Sequence, residues 1–121
     1  MKSKVLTLAM LVVAAGGLSA DKAEAQEMSS VTGEVIDITC YIAGGMKGED
    51  HRTCAQVCAD AGLPLGILST DGDIYLTAGK GMPAPPATDL LRGHLAHTVT
   101  VEGMVTERDG ARLITVDKVT M

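Results

Sequence analysis

The chain contains no tryptophan and no phenylalanine, and its only tyrosines are Tyr41 and Tyr75. Its core must therefore be built from aliphatic side chains and methionine. Proteins that bind single-stranded nucleic acid stack bases on aromatic side chains along a basic groove. This chain has few such side chains and no basic run, and its acidic residues outnumber the basic ones by 15 to 10. We therefore expect no nucleic-acid partner.

The first 25 residues have the pattern of a secretory signal peptide. Lys2 and Lys4 give a positive start, residues 5–18 form an apolar run, and residues 23–25 (A-E-A) are an A-x-A cleavage signal. The run is too short for a stable membrane span of about 20 residues. Residues 26–121 are thus predicted to be a single periplasmic or secreted domain without stable membrane insertion. This mature chain has a net charge of about −6, from seven basic and thirteen acidic residues.

Alternating apolar and polar residues predict five strands in the mature chain. They are expected at residues 31–38, 65–69, 74–78, 98–107 and 112–120, with Asp-Gly turns in two hairpins. Two short helices are expected, at His51–Ala61 and Ala87–Leu95. This order predicts a mainly β protein, a five-stranded OB-like barrel with a cysteine-bearing helix inserted after strand one. An open α+β sheet is the alternative.

Glycines mark the irregular parts of this pattern. Gly33 and Gly103 lie inside alternating strands and predict bulges or sharp bends. Residues 43–50 (AGGMKGED) have three glycines and no periodicity, which predicts a mobile loop. Glu49 or Asp50, at its end, is expected to cap the helix that follows.

The concentrated chemistry of the chain is a Cys/His cluster spaced C-x10-H-x2-C-x3-C, which includes every cysteine. Three of its members share one face of a helix, at i, i+3 and i+7, and the fourth is expected to complete the set from the end of strand one. Thiolates and imidazole suit zinc(II) in a tetrahedral site, or copper(I). A thioether from Met46 or Met82 would add to a copper site. The predicted ligands of the zinc or copper ion are Cys40, His51, Cys54 and Cys58.

Two other interpretations of the cysteines stay open. An oxidising exterior favours a disulfide of Cys40 with Cys54 or Cys58, which would stabilise a domain that interacts with another periplasmic protein. Because the chain has three cysteines, a single disulfide would leave one thiol unpaired. Thiol redox activity is the third interpretation, although the C-x2-C motif at a helix N-terminus is missing. His94 and His97 are expected to complement the end of the second helix rather than bind a metal.

Four stretches of the chain carry a family resemblance. They are G-E-V-I-D-I-T-C-Y at residues 33–41, H-x-x-C-A-x-x-C at 51–58, G-L-P-L-G at 62–66 and D-G-D-I-Y at 71–75. In these motifs the chain resembles a group of small exported bacterial proteins of unknown function. The resemblance implies that the Cys/His cluster is the functional site, but it does not imply a particular ligand. The expected function is metal binding without enzyme activity, for delivery, storage or sensing.

Overall fold

The computed structural model describes residues 16–17 and 26–121. This described part of the chain contains five strands and three short α-helices. A 3-10 turn at Glu49–His51 precedes the second helix, and another at Arg92–His94 follows the third. Residues 1–15 and 18–25 of the predicted signal peptide lie outside the described residues. Within the described part, none of the helices has the length and apolar character that crossing a bilayer requires. In chain order the elements are β1 (Gln26–Asp37), α1 (Ile38–Gly44), α2 (Arg52–Asp60), β2 (Leu65–Ser69), β3 (Ile74–Ala78), α3 (Thr88–Leu91), β4 (Thr98–Arg108) and β5 (Ala111–Thr120).

The five strands form a closed barrel in the order β1-β2-β3-β5-β4. β1 closes it because residues 26–34 pair with β4 while residues 33–37 pair with β2. β3 and β5 run parallel, and the other neighbouring strands are antiparallel. The predicted OB-like barrel is confirmed. The open α+β sheet is wrong, since an open sheet would leave two strands with a free edge.

Aliphatic side chains fill the barrel, as the shortage of aromatic residues requires. Ile67, Val101 and Ile114 are 0% exposed and come from three different strands. Leu91 of α3 joins the same core, and so does Leu95 just after the following turn. Burying a side chain of this size stabilises the fold by about 2 kcal/mol. The second predicted helix, Ala87–Leu95, is thus shorter than predicted: it is α3 followed by the 3-10 turn, and Leu91 and Leu95 pack it against the barrel core.

Two glycines allow strands to approach more closely than a side chain permits. Gly33 pairs with Ser69 of β2 and with Val99 of β4, so it lies where β1 changes partner. A Cβ atom there would overlap the backbone of Leu68. At Gly103 the register between β4 and β5 shifts, which confirms the predicted irregularity at that position.

The segment after strand one differs from the prediction. Ile38–Gly44 is helical, so Cys40 lies in the first turn of α1 rather than at the end of a strand. Asp37 caps this helix because its side chain accepts hydrogen bonds from the N–H groups of Thr39 (2.8 Å) and Cys40 (3.2 Å). The helix ends at Gly45, whose φ of 68° is the left-handed conformation of a C-cap. The predicted loop over residues 43–50 is correspondingly shorter.

The prediction that Glu49 or Asp50 caps the helix α2 is also wrong. Glu49 and Asp50 form a 3-10 turn with His51, and neither residue's side chain caps that turn or α2 within the described part of the chain. The predicted helix itself is present, as α2 preceded by this turn. Its buried residues are Ala55 and Ala59, whose short side chains let the helix lie close to the barrel.

Candidate metal centre

The segment between β1 and β2 carries the whole Cys/His cluster. Cys40 lies on α1, and the other three members lie on the 3-10 turn and on α2. Left-handed backbone at Gly45 (φ 68°) and Gly48 (φ 78°) turns the chain between the two helices. The N–H of Gly48 donates a hydrogen bond to the Glu34 carboxylate on β1, which ties this turn to the barrel. The fold thereby brings Cys40 of α1 close to the cluster residues on the 3-10 turn and α2.

One part of the cluster is a group that can hold a metal ion, which we name the first triad: Cys40, His51 and Cys54. One ligand atom from each of these residues lies within 4.8 Å of the others. Cys40 and His51 are half-buried and Cys54 is exposed. Two sulfur donors and one imidazole at this separation can converge on a single ion with little rearrangement.

Cys58 belongs to an overlapping group, which we name the second triad: Asp37, Cys40 and Cys58. Its ligand atoms also lie within 4.8 Å of one another, and Asp37 is only 1% exposed. The four predicted ligands are thus arranged as two groups that share Cys40, not as one group of four. Asp37 was missing from the predicted ligands. The sequence signal for Asp37 as a ligand was its position three residues before Cys40, at the end of an apolar strand.

Each triad contains a buried polar atom without a hydrogen-bond partner in the described part of the chain. In the first triad it is Nε2 of His51, and in the second it is Oδ2 of Asp37. Leaving such an atom unpaired costs about 1–3 kcal/mol. A bound ion is one partner that can satisfy such an atom. Both triads therefore fit a metal ion.

The Asp37 carboxylate controls the protonation of the thiols beside it. Burial alone would raise the pKa of Asp37, but hydrogen bonding from Cys58 and from the backbone and side chain of Cys40 outweighs burial and lowers it. The Asp37 carboxylate lies beside the Cys58 thiol, and its interaction with that thiol, followed by burial, raises the pKa of Cys58 to about 12. The pKa of Cys40 is also raised, mainly by burial and secondly by its interaction with Asp37. A cation that binds here must displace thiol protons.

We expect the Asp37→Asn substitution to make Cys58 more reactive in the reduced, metal-free protein. Asparagine keeps the helix cap but removes the negative charge, so the pKa of Cys58 should fall from about 12. At about pH 9 the alkylation rate of Cys58 by iodoacetamide, followed by mass spectrometry of its peptide, should rise at least about tenfold. The exposed residue Asp50 supplies the control, because Asp50→Asn should leave the rate unchanged. Equal rates in wild type and Asp37→Asn would contradict this electrostatic account.

The remaining predicted candidates lie outside the two triads. The N–H of His97 donates to the carbonyl oxygen of His94 (2.9 Å), and the carbonyl oxygen of His97 accepts from Val35 (3.0 Å). These backbone contacts hold the segment against β1. Met46 lines a small pocket together with Asp37 and His51, whereas the exposed Met82 lies in a separate groove. Of the two methionines proposed for a copper site, only Met46 is therefore near the cluster.

Comparison of the chain with protein-family models, curated proteins and solved structures gives no match. The candidate site is therefore identified from the residues and geometry of this chain. It consists of two overlapping groups of donors, one with an imidazole nitrogen and one with a carboxylate oxygen. Each group offers three protein donors, which in tetrahedral coordination leaves one position for a further ligand.

Proposed function

We propose that the protein is an exported metal-binding protein that holds a soft ion, zinc or copper, at the first triad. The observation that supports this most strongly is the approach of the three donor atoms to within 4.8 Å of one another. The unpartnered Nε2 of His51 adds to it, because an imidazole nitrogen is a preferred ligand of both ions. Cys58, which is close to Cys40, is the protein residue available as a fourth donor.

The exposure of the site fits transfer of the ion rather than permanent burial. Cys54 is exposed, so a ligand from another protein can approach the ion directly. The acidic mature chain also favours the approach of cations. We therefore propose delivery or storage of the metal, with another periplasmic protein as the partner. Sensing is the remaining metal-dependent role, and no catalytic activity is part of the proposal.

The proposed location depends on the N-terminal sequence and on the family resemblance. The positive start, apolar run and A-x-A signal over residues 1–25 support export with cleavage before Gln26. Membership of the group of small exported bacterial proteins is a proposal that is based on the four motifs and points to the same compartment. In that compartment reduced thiols are exposed to oxidation, and a bound metal ion would protect them.

The His51→Ala substitution tests the proposed ligand set. Loss of one donor should weaken zinc or copper binding at least about 100-fold, measured by competition with a chromophoric chelator. The free energy of unfolding of the metal-free protein should change by less than about 1 kcal/mol. His94→Ala is the matched control, because His94 also has a buried nitrogen without a partner among the described residues but belongs to neither triad. Equal affinity in both variants would exclude His51 as a ligand.

A disulfide is the second candidate, and the position of Cys40 favours it specifically. Its sulfur lies within 4.8 Å of the sulfur of Cys54 and of that of Cys58, so either pair can form with little movement. A disulfide of this kind would stabilise the domain by about 2 to 5 kcal/mol and leave one thiol. The same pairs would serve a thiol redox protein. In both cases the protein should contain one reactive thiol rather than three.

A further inference from the structure

The sharing of Cys40 by both triads raises the question of how many ions the cluster holds. If one ion used the first triad alone, the second triad would keep a buried carboxylate oxygen without a partner in the described part of the chain. If one ion used the second triad alone, the ring nitrogen of His51 would be left in the same state. Neither single position satisfies both atoms.

The carboxylate of Asp37 is already held in position for an ion. Its Oδ1 accepts hydrogen bonds from the N–H groups of Thr39 and Cys40, which fixes the side chain at the start of α1. Its Oδ2 remains free for another partner. Ligating side chains are commonly oriented by such hydrogen bonds. Because Asp37 is 1% exposed, bulk water has little access to replace a missing partner.

The charges of the donors indicate both the number and the kind of ion. With its thiols deprotonated, the cluster contains three thiolates and one carboxylate, a total charge of −4. Two zinc(II) ions neutralise this charge, so all four donors can be ligated without an uncompensated charge in a partly buried site. Zinc also accepts a carboxylate oxygen together with thiolates, while copper(I) prefers sulfur.

We propose that the cluster binds two zinc ions, one at each triad, with the thiolate of Cys40 bridging them. A thiolate sulfur has more than one lone pair and can donate to two cations at once. The proposal extends the proposed function, since it requires that the first triad binds metal. Binding of both ions replaces the protons of the three thiols, and no oxidation occurs. Each ion keeps one coordination position for water or for a ligand of the receiving protein.

Zinc stoichiometry in the purified, reduced mature protein tests this proposal. After zinc loading and gel filtration, native mass spectrometry and elemental analysis should give two ions per chain for wild type. Asp37→Asn and Cys58→Ser, which disable the second triad in different ways, should each retain one ion. Asp50→Asn, a matched change of an exposed carboxylate, should retain two. One ion in wild type, or two in Cys58→Ser, would overturn the two-ion proposal and leave metal binding intact. No ion in wild type after zinc loading, and none after a parallel loading with copper(I), would instead remove the proposed function itself.

Cobalt(II) loading distinguishes a bridged pair from two separate ions. Two cobalt ions that share the Cys40 thiolate should couple magnetically, so the electron paramagnetic resonance signal should grow with the first equivalent and decrease with the second. In Cys58→Ser the signal should grow to one equivalent and then remain constant. A wild-type signal that doubles with the second equivalent would show that the ions are not bridged and would overturn this part of the proposal.

Discussion

Replacing Cys40 by serine should abolish metal binding by the whole cluster, although Cys40 is one cysteine of three. It is the residue that both triads share, so its loss removes a donor from each. Structural zinc sites bind with about 10–16 kcal/mol, or about 2.5–4 kcal/mol for each of four ligands. Loss of one ligand should thus weaken each position by at least about 100-fold. Chelator competition should give no retained zinc in Cys40→Ser and one ion in Cys54→Ser or Cys58→Ser.

The fold of the Cys40→Ser variant provides its control. The backbone N–H of residue 40 continues to donate to Asp37, so the cap of α1 is preserved. Thermal unfolding in the presence of a chelator should therefore match that of wild type to within about 1 kcal/mol. If Cys40→Ser kept as much zinc as Cys58→Ser does, the central place of Cys40 in the cluster would be wrong.

The Gly33→Ala substitution should have the largest effect on stability. A Cβ atom at this position would overlap the carbonyl oxygen of Leu68 and lie 2.7 Å from the Cα of Ser69, both backbone atoms of β2. Because β1 changes from β4 to β2 here, the strands cannot separate without opening the barrel. Overpacking of this kind costs about 3 kcal/mol. For a domain of this size the melting temperature should fall by about 15 °C.

Gly93→Ala is the matched control for Gly33→Ala. A Cβ atom at Gly93 has no neighbour within 4 Å among the described residues, and its backbone φ is not in the left-handed range. Its melting temperature, measured by circular dichroism, should stay within about 3 °C of wild type. Similar melting temperatures for the two variants would contradict the close approach of β1 and β2 at Gly33.

The strands could be predicted closely where alternation is bounded by turn residues. β2 and β3 have the predicted limits because Asp71 and Gly72 separate two apolar segments. β1 begins earlier than predicted, at Gln26, since its first residues are mostly polar and exposed and are held by pairing with β4. Pairing with a distant strand leaves little local pattern in the sequence.

The helix α1 could not be predicted from periodicity because it is short and continues an alternating strand. Ile38 fits the strand pattern of the residues before it, and the helix depends on the cap supplied by Asp37. Asp37 itself was overlooked as a ligand because a polar residue in an alternating strand is expected to face solvent. It is buried instead, at a point where β1 pairs with Leu65 of β2 and α1 begins.

The Cys/His cluster could be recognised from spacing, but its division into two triads could not. Spacing in the predicted helix groups His51, Cys54 and Cys58 on one helical face and gives no distance to Cys40. That distance depends on the turn at Gly45 and Gly48 between the helices, whose left-handed backbone is fixed by the fold. The role of Cys40 as the shared donor is therefore visible only in three dimensions.

Metal content combined with a thiol count tests the central claim most directly. The mature protein would be isolated from a native-like periplasm without added metal, analysed for zinc and copper, and then denatured anaerobically with a chelator for thiol titration. We predict one or two equivalents of zinc or copper per chain together with three reactive thiols. A metal-free protein with a single reactive thiol would contradict the metal centre and establish a disulfide between two of the three cysteines.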